Sequence, residues 1–169
     1  MQFKVGDKVV YPNHGIGVVE RIQQKDMGGH SEVCLTLRLV ANDSTVMVPM
    51  SNTGAVGLRP VLSRRSVEAI LTMLRDAHLN LQGDWKGRFA ENSEKMRSGE
   101  VVKVVDVLKS LSFLSSQKTL SYRERKMLDR ARFLVISELA EASQQPAEAV
   151  EALVDQTLSV CLKSQLTDH

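Results

Sequence analysis

The chain has 169 residues, of which 43% are hydrophobic, 25% charged and 4% aromatic. That length supports one medium domain or two small ones with a real core, and the composition excludes wholesale disorder. The net charge of +2 hides a gradient: residues 1–60 carry six basic and five acidic side chains, residues 61–130 fourteen and nine, and residues 131–169 two and six. A local anionic partner is therefore expected for the middle third, rather than a uniformly adhesive surface.

Residues 1–60 have a β texture. Asp7–Tyr11 is a short apolar run stopped by Pro12. Gly15–Ile22 follows the PNHG turn and runs into QQKDMGGH, where Gly28-Gly29 reads as a hairpin tip. Glu32–Val40 alternates, with Val33, Leu35, Leu37 and Leu39 on one side and Cys34, Thr36, Arg38 and Val40 on the other. Asn42-Asp43 makes the next turn, and Ser44–Met50 is a further strand. Short strands with tight turns predict a small antiparallel SH3- or Tudor-like β-barrel of about five strands, since closure removes exposed edges.

From Ser63 the texture is helical. Val67, Ile70, Leu71 and Leu74 recur at helical spacing behind a cap at Ser63 or Ser66. Asp84 is a candidate cap for a second helix to about Arg97, stopped by Ser98-Gly99. A third spans Glu100 to about Leu114. The fourth opens on a capping box, Ser121 to Glu124, and runs to about Ala142. Pro146 suits the first turn of a fifth, carrying Ala149, Leu153, Leu158 and Val160. The acidic residues Glu148, Glu151 and Asp155 of this last helix read as a solvated outer face. The fold class is thus α+β: a barrel over residues 1–60, then an all-α bundle of about five helices over 61–169, with the boundary in RPVLSRRS.

No catalytic constellation is legible. His14, His30, His78 and His169 lie in turns, loops or at the end of the chain, without an orienting carboxylate or cysteine at a telling spacing. Gly15-Ile16-Gly17 lacks the third glycine, the Lys-Ser/Thr pair and the following helix of a nucleotide loop. Cys34 and Cys161 stand apart in apolar stretches, so two buried thiols are expected, with no disulfide, no metal site and no cofactor. No apolar run reaches the ~18–20 residues of a membrane span, and a soluble cytoplasmic protein is expected.

The one tryptophan, Trp85, stands in GDWKGRFAE among charges rather than apolar neighbours. If Asp84 caps the second helix, Trp85 is its first residue and has no preceding turn to pack on. Lys86 and Arg88 flank it; Arg123, Arg125 and Lys126 open the fourth helix, and Arg64 and Arg65 the first. Cations in a helix's first turn oppose its dipole at a cost of a few tenths of a kcal/mol, which a phosphate would offset. One arrangement has these cations holding phosphates while the indole wedges beside an unstacked base step. In the other, the indole folds back over Phe89 and Met96 and the charges merely solvate a face.

The stretch VGDKVVYPNHGIGVVE (Val5–Glu20), with VMVPM (46–50), GLRPV (57–61), DWKGRF (84–89), SGEVVKVVDVL (98–108) and LSYRERKMLDRARFLVISELA (120–140), resembles the CarD family of bacterial transcription regulators, also called CdnL. The first block is also similar to the polymerase-interacting module of transcription-repair coupling factors. The resemblance implies a Tudor-like domain binding the β subunit of RNA polymerase, with Lys25, Met47, Val48 and Pro49 at that face. It further implies a helical domain on promoter DNA upstream of the −10 element, where Trp85 wedges into the minor groove and stabilises the open complex without reading sequence. Arg88, Arg125 and Lys126 are the matching basic positions; Lys86, where some members are uncharged, and Arg123 join them as candidate DNA contacts. Some members carry arginine at positions 25 and 47 and lysine at 90; here Lys25 keeps a charge without the fork, Met47 offers a flexible apolar contact and Ala90 offers none. The expected protein is a monomer, nucleoid-associated through the polymerase, and neither an enzyme nor a membrane protein. The alternative is a polymerase-bound protein–protein adapter without DNA contact.

Overall fold

The computed structural model describes residues 3–77, 79 and 85–167, and for Met27, Trp85, Lys86, Leu166 and Thr167 the backbone only. The chain divides into two units, residues 1–61 and 62–169.

In the first unit β1 (Lys8–Tyr11), β2 (Gly15–Met27), β3 (His30–Leu39), β4 (Thr45–Pro49) and β5 (Arg59–Pro60) form one antiparallel sheet in the order β4-β3-β2-β1-β5. Met27 pairs with His30 across a two-residue turn, where Gly28 and Gly29 both take positive φ (60° and 94°). That is the backbone a tight hairpin demands and glycine adopts without strain. β2 runs five residues past the expected end at Ile22, because pairing with β3 holds the polar QQKDM segment extended; tertiary pairing outweighs its weak strand propensity.

A bulge between Val19 and Arg21 inserts Glu20, so that Val19 opposes Leu37 and Ile22 opposes Leu35. The extra residue keeps Val19 and Ile22 on the side of Leu35 and Leu37 and sends Arg21 to the other side, opposite Thr36. The core gathers Phe3, Val9, Val19, Leu35, Leu37, Val48 and Leu58. The expected barrel closure is not found: among the described residues β4 and β5 are the two edges of an open sheet. β5 has only two residues, and Pro60 has no N–H to donate, so it pairs with β1 and cannot bridge onward. A one-turn helix, α1 (Thr53–Val56), lies between β4 and β5 and was not foreseen.

The second unit holds α2 (Val67–Arg75), α3 (Trp85–Ser98), α4 (Val101–Gln117), α5 (Tyr122–Ser143) and α6 (Ala147–Thr167). Neither Ser63 nor Ser66 caps α2 with its side chain; their hydroxyls bond each other at 3.0 Å, and Arg64–Ser66 forms a 3-10 turn ahead of the helix. The proposed Asp84 cap lies outside the described residues. α3 stops where Gly99 turns left-handed (φ 71°). Ser121 caps α5 as expected, its Oγ accepting the Glu124 N–H at 3.2 Å.

The core is built on α4, whose Val104, Val105, Val107, Leu108 and Leu111 meet Ile70, Leu71 and Leu74 of α2 and Val135 and Leu139 of α5. α6 corrects the expected stripe. Its buried side chains are Val150, Val154, Thr157, Leu158 and Cys161, while Ala149, Leu153 and Val160 are exposed. The buried set follows a 3.6-residue period, and of the four expected residues only Leu158 belongs to it. Nor is the acidic face only solvated: Arg132 of α5 bonds both Glu151, at 2.9 Å, and Asp155. These bonds, Asp155 foremost, raise the arginine's pKa.

Two buried charges hold backbone ends in place. Lys109 Nζ donates at 2.7 Å to the Met73 carbonyl, in the last turn of α2, where helices leave carbonyls without partners. The Glu138 carboxylate accepts the Leu62 N–H at 3.0 Å. Cys34 and Cys161 are buried free thiols, and burial pushes the Cys161 thiol up. No helix among the described residues is long and apolar enough to cross a membrane.

Candidate functional site

The first turns of α3 and α5 meet through a buried ion pair. Arg88 donates from Nε at 3.3 Å and from Nη2 at 3.2 Å to one oxygen of Glu124. The side chains are 12% and 2% exposed. Glu124 is also the third residue after the Ser121 cap, so one side chain serves both the helix start and the pairing. Arg88 stands one turn after Trp85, so this pair fixes the helix turn that carries the indole. The Trp85 backbone opens α3, as expected; its side chain and that of Lys86 lie outside the described residues, so packing of the indole on Phe89 and Met96 is also outside them. Met96 itself belongs to the helical core.

Arg123, Arg125 and Lys126 are all exposed around the start of α5. The Arg123 guanidinium lies over the Phe89 ring at 4.6 Å, and Lys126 Nζ lies 4.8 Å from the centre of the Tyr122 ring. Each cation thus rests on an aromatic face, which restrains a long side chain while leaving its charge available to a ligand. Glu124, the one acidic side chain in the first turn of α5, is turned inward onto Arg88, so the surface of that turn is cationic. The sequence reading gave Arg88 as a DNA contact; its guanidinium is 12% exposed and turned onto Glu124. Nothing in the sequence signals that positions 88 and 124 meet. The capping box marked Glu124 as special, but for a different bond.

In the first unit Met47, Val48 and Pro49 lie on the edge strand β4. Met47, opposite Thr36, is 42% exposed, whereas Val48, opposite Leu35, is 2% exposed and belongs to the core. The Val48 side chain is therefore unavailable to a partner, and only its backbone lies at the edge. Lys25 opposes Glu32 on the side of the β2–β3 hairpin that Met47, Thr36 and Arg21 share. Exposed Arg21, placed there by the bulge, is a residue the sequence reading passed over. His14 packs edge-on to Tyr11, and among the described residues no group of His, Cys, Asp and Glu could hold a metal.

The family model of the CarD C-terminal domain matches residues 69–155, and that of the CarD-like/TRCF RID domain matches residues 3–62. The chain belongs to the CarD/CdnL family of transcription regulators. A curated relative in Bacillus subtilis (strain 168), the candidate transcription factor YdeB, is 31% identical over 137 residues, which is 81% of this chain and 90% of YdeB. Two solved structures from Myxococcus xanthus are similar in sequence to part of this CarD-family chain. The 72-residue N-terminal domain of CarD is 39% identical, over 35% of this chain and 79% of its own, with a TM-score of 0.32. The N-terminal domain of CdnL is 38% identical, over 37% and 89%, with a TM-score of 0.33.

Proposed function

We propose that this CarD-family protein binds RNA polymerase through its N-terminal unit, at the β subunit, and stabilises the promoter open complex through its helical unit. Trp85 wedges into the minor groove upstream of the −10 element, and Arg123, Arg125 and Lys126 hold the adjoining phosphates. The observation that carries this reading is the cationic first turn of α5, whose acidic residue is withdrawn onto Arg88 beside the start of the helix that bears Trp85. Arg88 then positions α3 rather than touching DNA. On the polymerase side, the edge of β4 offers backbone groups for a partner strand, with Met47 as an apolar contact and Lys25 as a charge nearby.

The two functions need each other. A few phosphate contacts give only weak non-specific binding, with Kd about 10⁻⁴ to 10⁻⁶ M. Tethering through the polymerase raises the local concentration of the helical unit, so weak binding suffices. A wedge that prefers melted DNA by about 1.4 kcal/mol changes the open-to-closed ratio tenfold.

The test is the lifetime of competitor-challenged open complexes on a ribosomal-RNA promoter with polymerase of the same bacterium. Wild type should lengthen it roughly tenfold, and Trp85→Ala should remove the effect while retaining polymerase binding. Equal lengthening by both proteins would sink the wedge. No lengthening by either would favour the adapter, a protein held on the polymerase without touching DNA.

A further inference from the structure

Tyr122 is 71% exposed, the most open of the large apolar side chains at the head of α5. It is the first residue of the helix, and the Ser121 cap fixes its backbone. Its ring carries the Lys126 ammonium at 4.8 Å, and Arg123 and Arg125 are exposed around the same turn. The open ring thus carries one cation, and two more are exposed in the same helical turn. This is the composition that single-stranded nucleic acid selects, with a flat face for a base and positive charge for the backbone beside it.

We infer that Tyr122 is a second aromatic contact, stacking an unpaired base of a melted DNA strand whose phosphates rest on Lys126 and Arg125. This rests on the reading of the helical unit as a DNA-binding surface, and it adds a site on a different helix from Trp85. Paired bases have both faces covered by their neighbours, so the contact forms only once a strand is free. Tyr122 therefore discriminates melted from paired DNA, whereas the cations hold both alike.

The experiment is an anisotropy titration of the whole protein against two labelled DNAs of one sequence, a full duplex and a fork with a short unpaired arm. Wild type, Tyr122→Phe and Tyr122→Ala are compared, with circular dichroism confirming equal helix content. Stacking by one base predicts that Tyr122→Ala weakens fork binding about fivefold or more and duplex binding by less than about twofold. Tyr122→Phe, which keeps the flat ring, should bind the fork as wild type does. Unchanged fork binding by Tyr122→Ala, or equal losses on both DNAs, would overturn the stacking contact alone. Loss by Tyr122→Phe would overturn it too, assigning the effect to the hydroxyl. If the wild type binds neither DNA at low salt with protein raised above about 10⁻⁴ M, the DNA-binding reading of this unit fails and the inference with it.

Discussion

Replacing Glu124 by alanine is expected to destabilise the helical unit by about 3–5 kcal/mol, the usual cost of stranding one member of a buried ion pair. Arg88 would keep its charge at 12% exposure and lose the carboxylate that both of its bonded nitrogens share. The Ser121 cap would survive, because its partner is the backbone N–H of position 124. The loss therefore combines the pair with the first-turn carboxylate and its contact to the Ser121 hydroxyl, while the backbone cap stays. Glu124→Gln, which keeps an acceptor but no charge, should cost less. The double change Arg88→Met with Glu124→Leu should recover much of the stability, since apolar side chains of similar volume often replace a buried pair at little cost. Urea unfolding of the four proteins measures this, and a loss below about 1 kcal/mol for Glu124→Ala would show the pair to be no more than a surface contact.

The second large effect lies in the core. Leu108→Ala should cost about 2–5 kcal/mol, because Leu108 is wholly buried on the central helix α4 and the cavity left behind would collapse only in part. Leu153→Ala on α6 should cost less, about 0.5–1 kcal/mol, because that side chain is 42% exposed. The two leucines look alike in the sequence, each in an apolar helical pattern, so the contrast tests the burial assignment directly. Similar unfolding midpoints for the two variants would refute it.

What the sequence made legible were features with local causes. The Gly28-Gly29 turn, the Ser121 cap and the stop at Gly99 each depend on a few neighbouring residues, and each stands where the spacing predicts. The helix of Val67, Ile70, Leu71 and Leu74 was readable for the same reason. Features that depend on distant partners were not. β2 continues through polar QQKDM because β3 lies beside it; the sheet stays open because β5 is short; and the burial of α6 depends on which helices surround it. The candidate site divides along the same line. Charge and composition pointed to the first turns of α3 and α5, yet the pairing that turns Arg88 inward spans 36 positions and leaves no local trace. The bulge that swings Arg21 onto the side of Lys25 and Met47 was hidden likewise, since only the register with β3 reveals it.

The inward turn of Arg88 has a thermodynamic consequence. Each phosphate neutralised by a protein cation frees a condensed counterion from DNA, and that release sets how steeply affinity falls with added salt. A guanidinium already neutralised inside the protein frees none. On the proposed reading the head of α5 would count as three cations, Arg123, Arg125 and Lys126, with an expected log–log slope near −2.7 on duplex DNA at about 0.9 per phosphate.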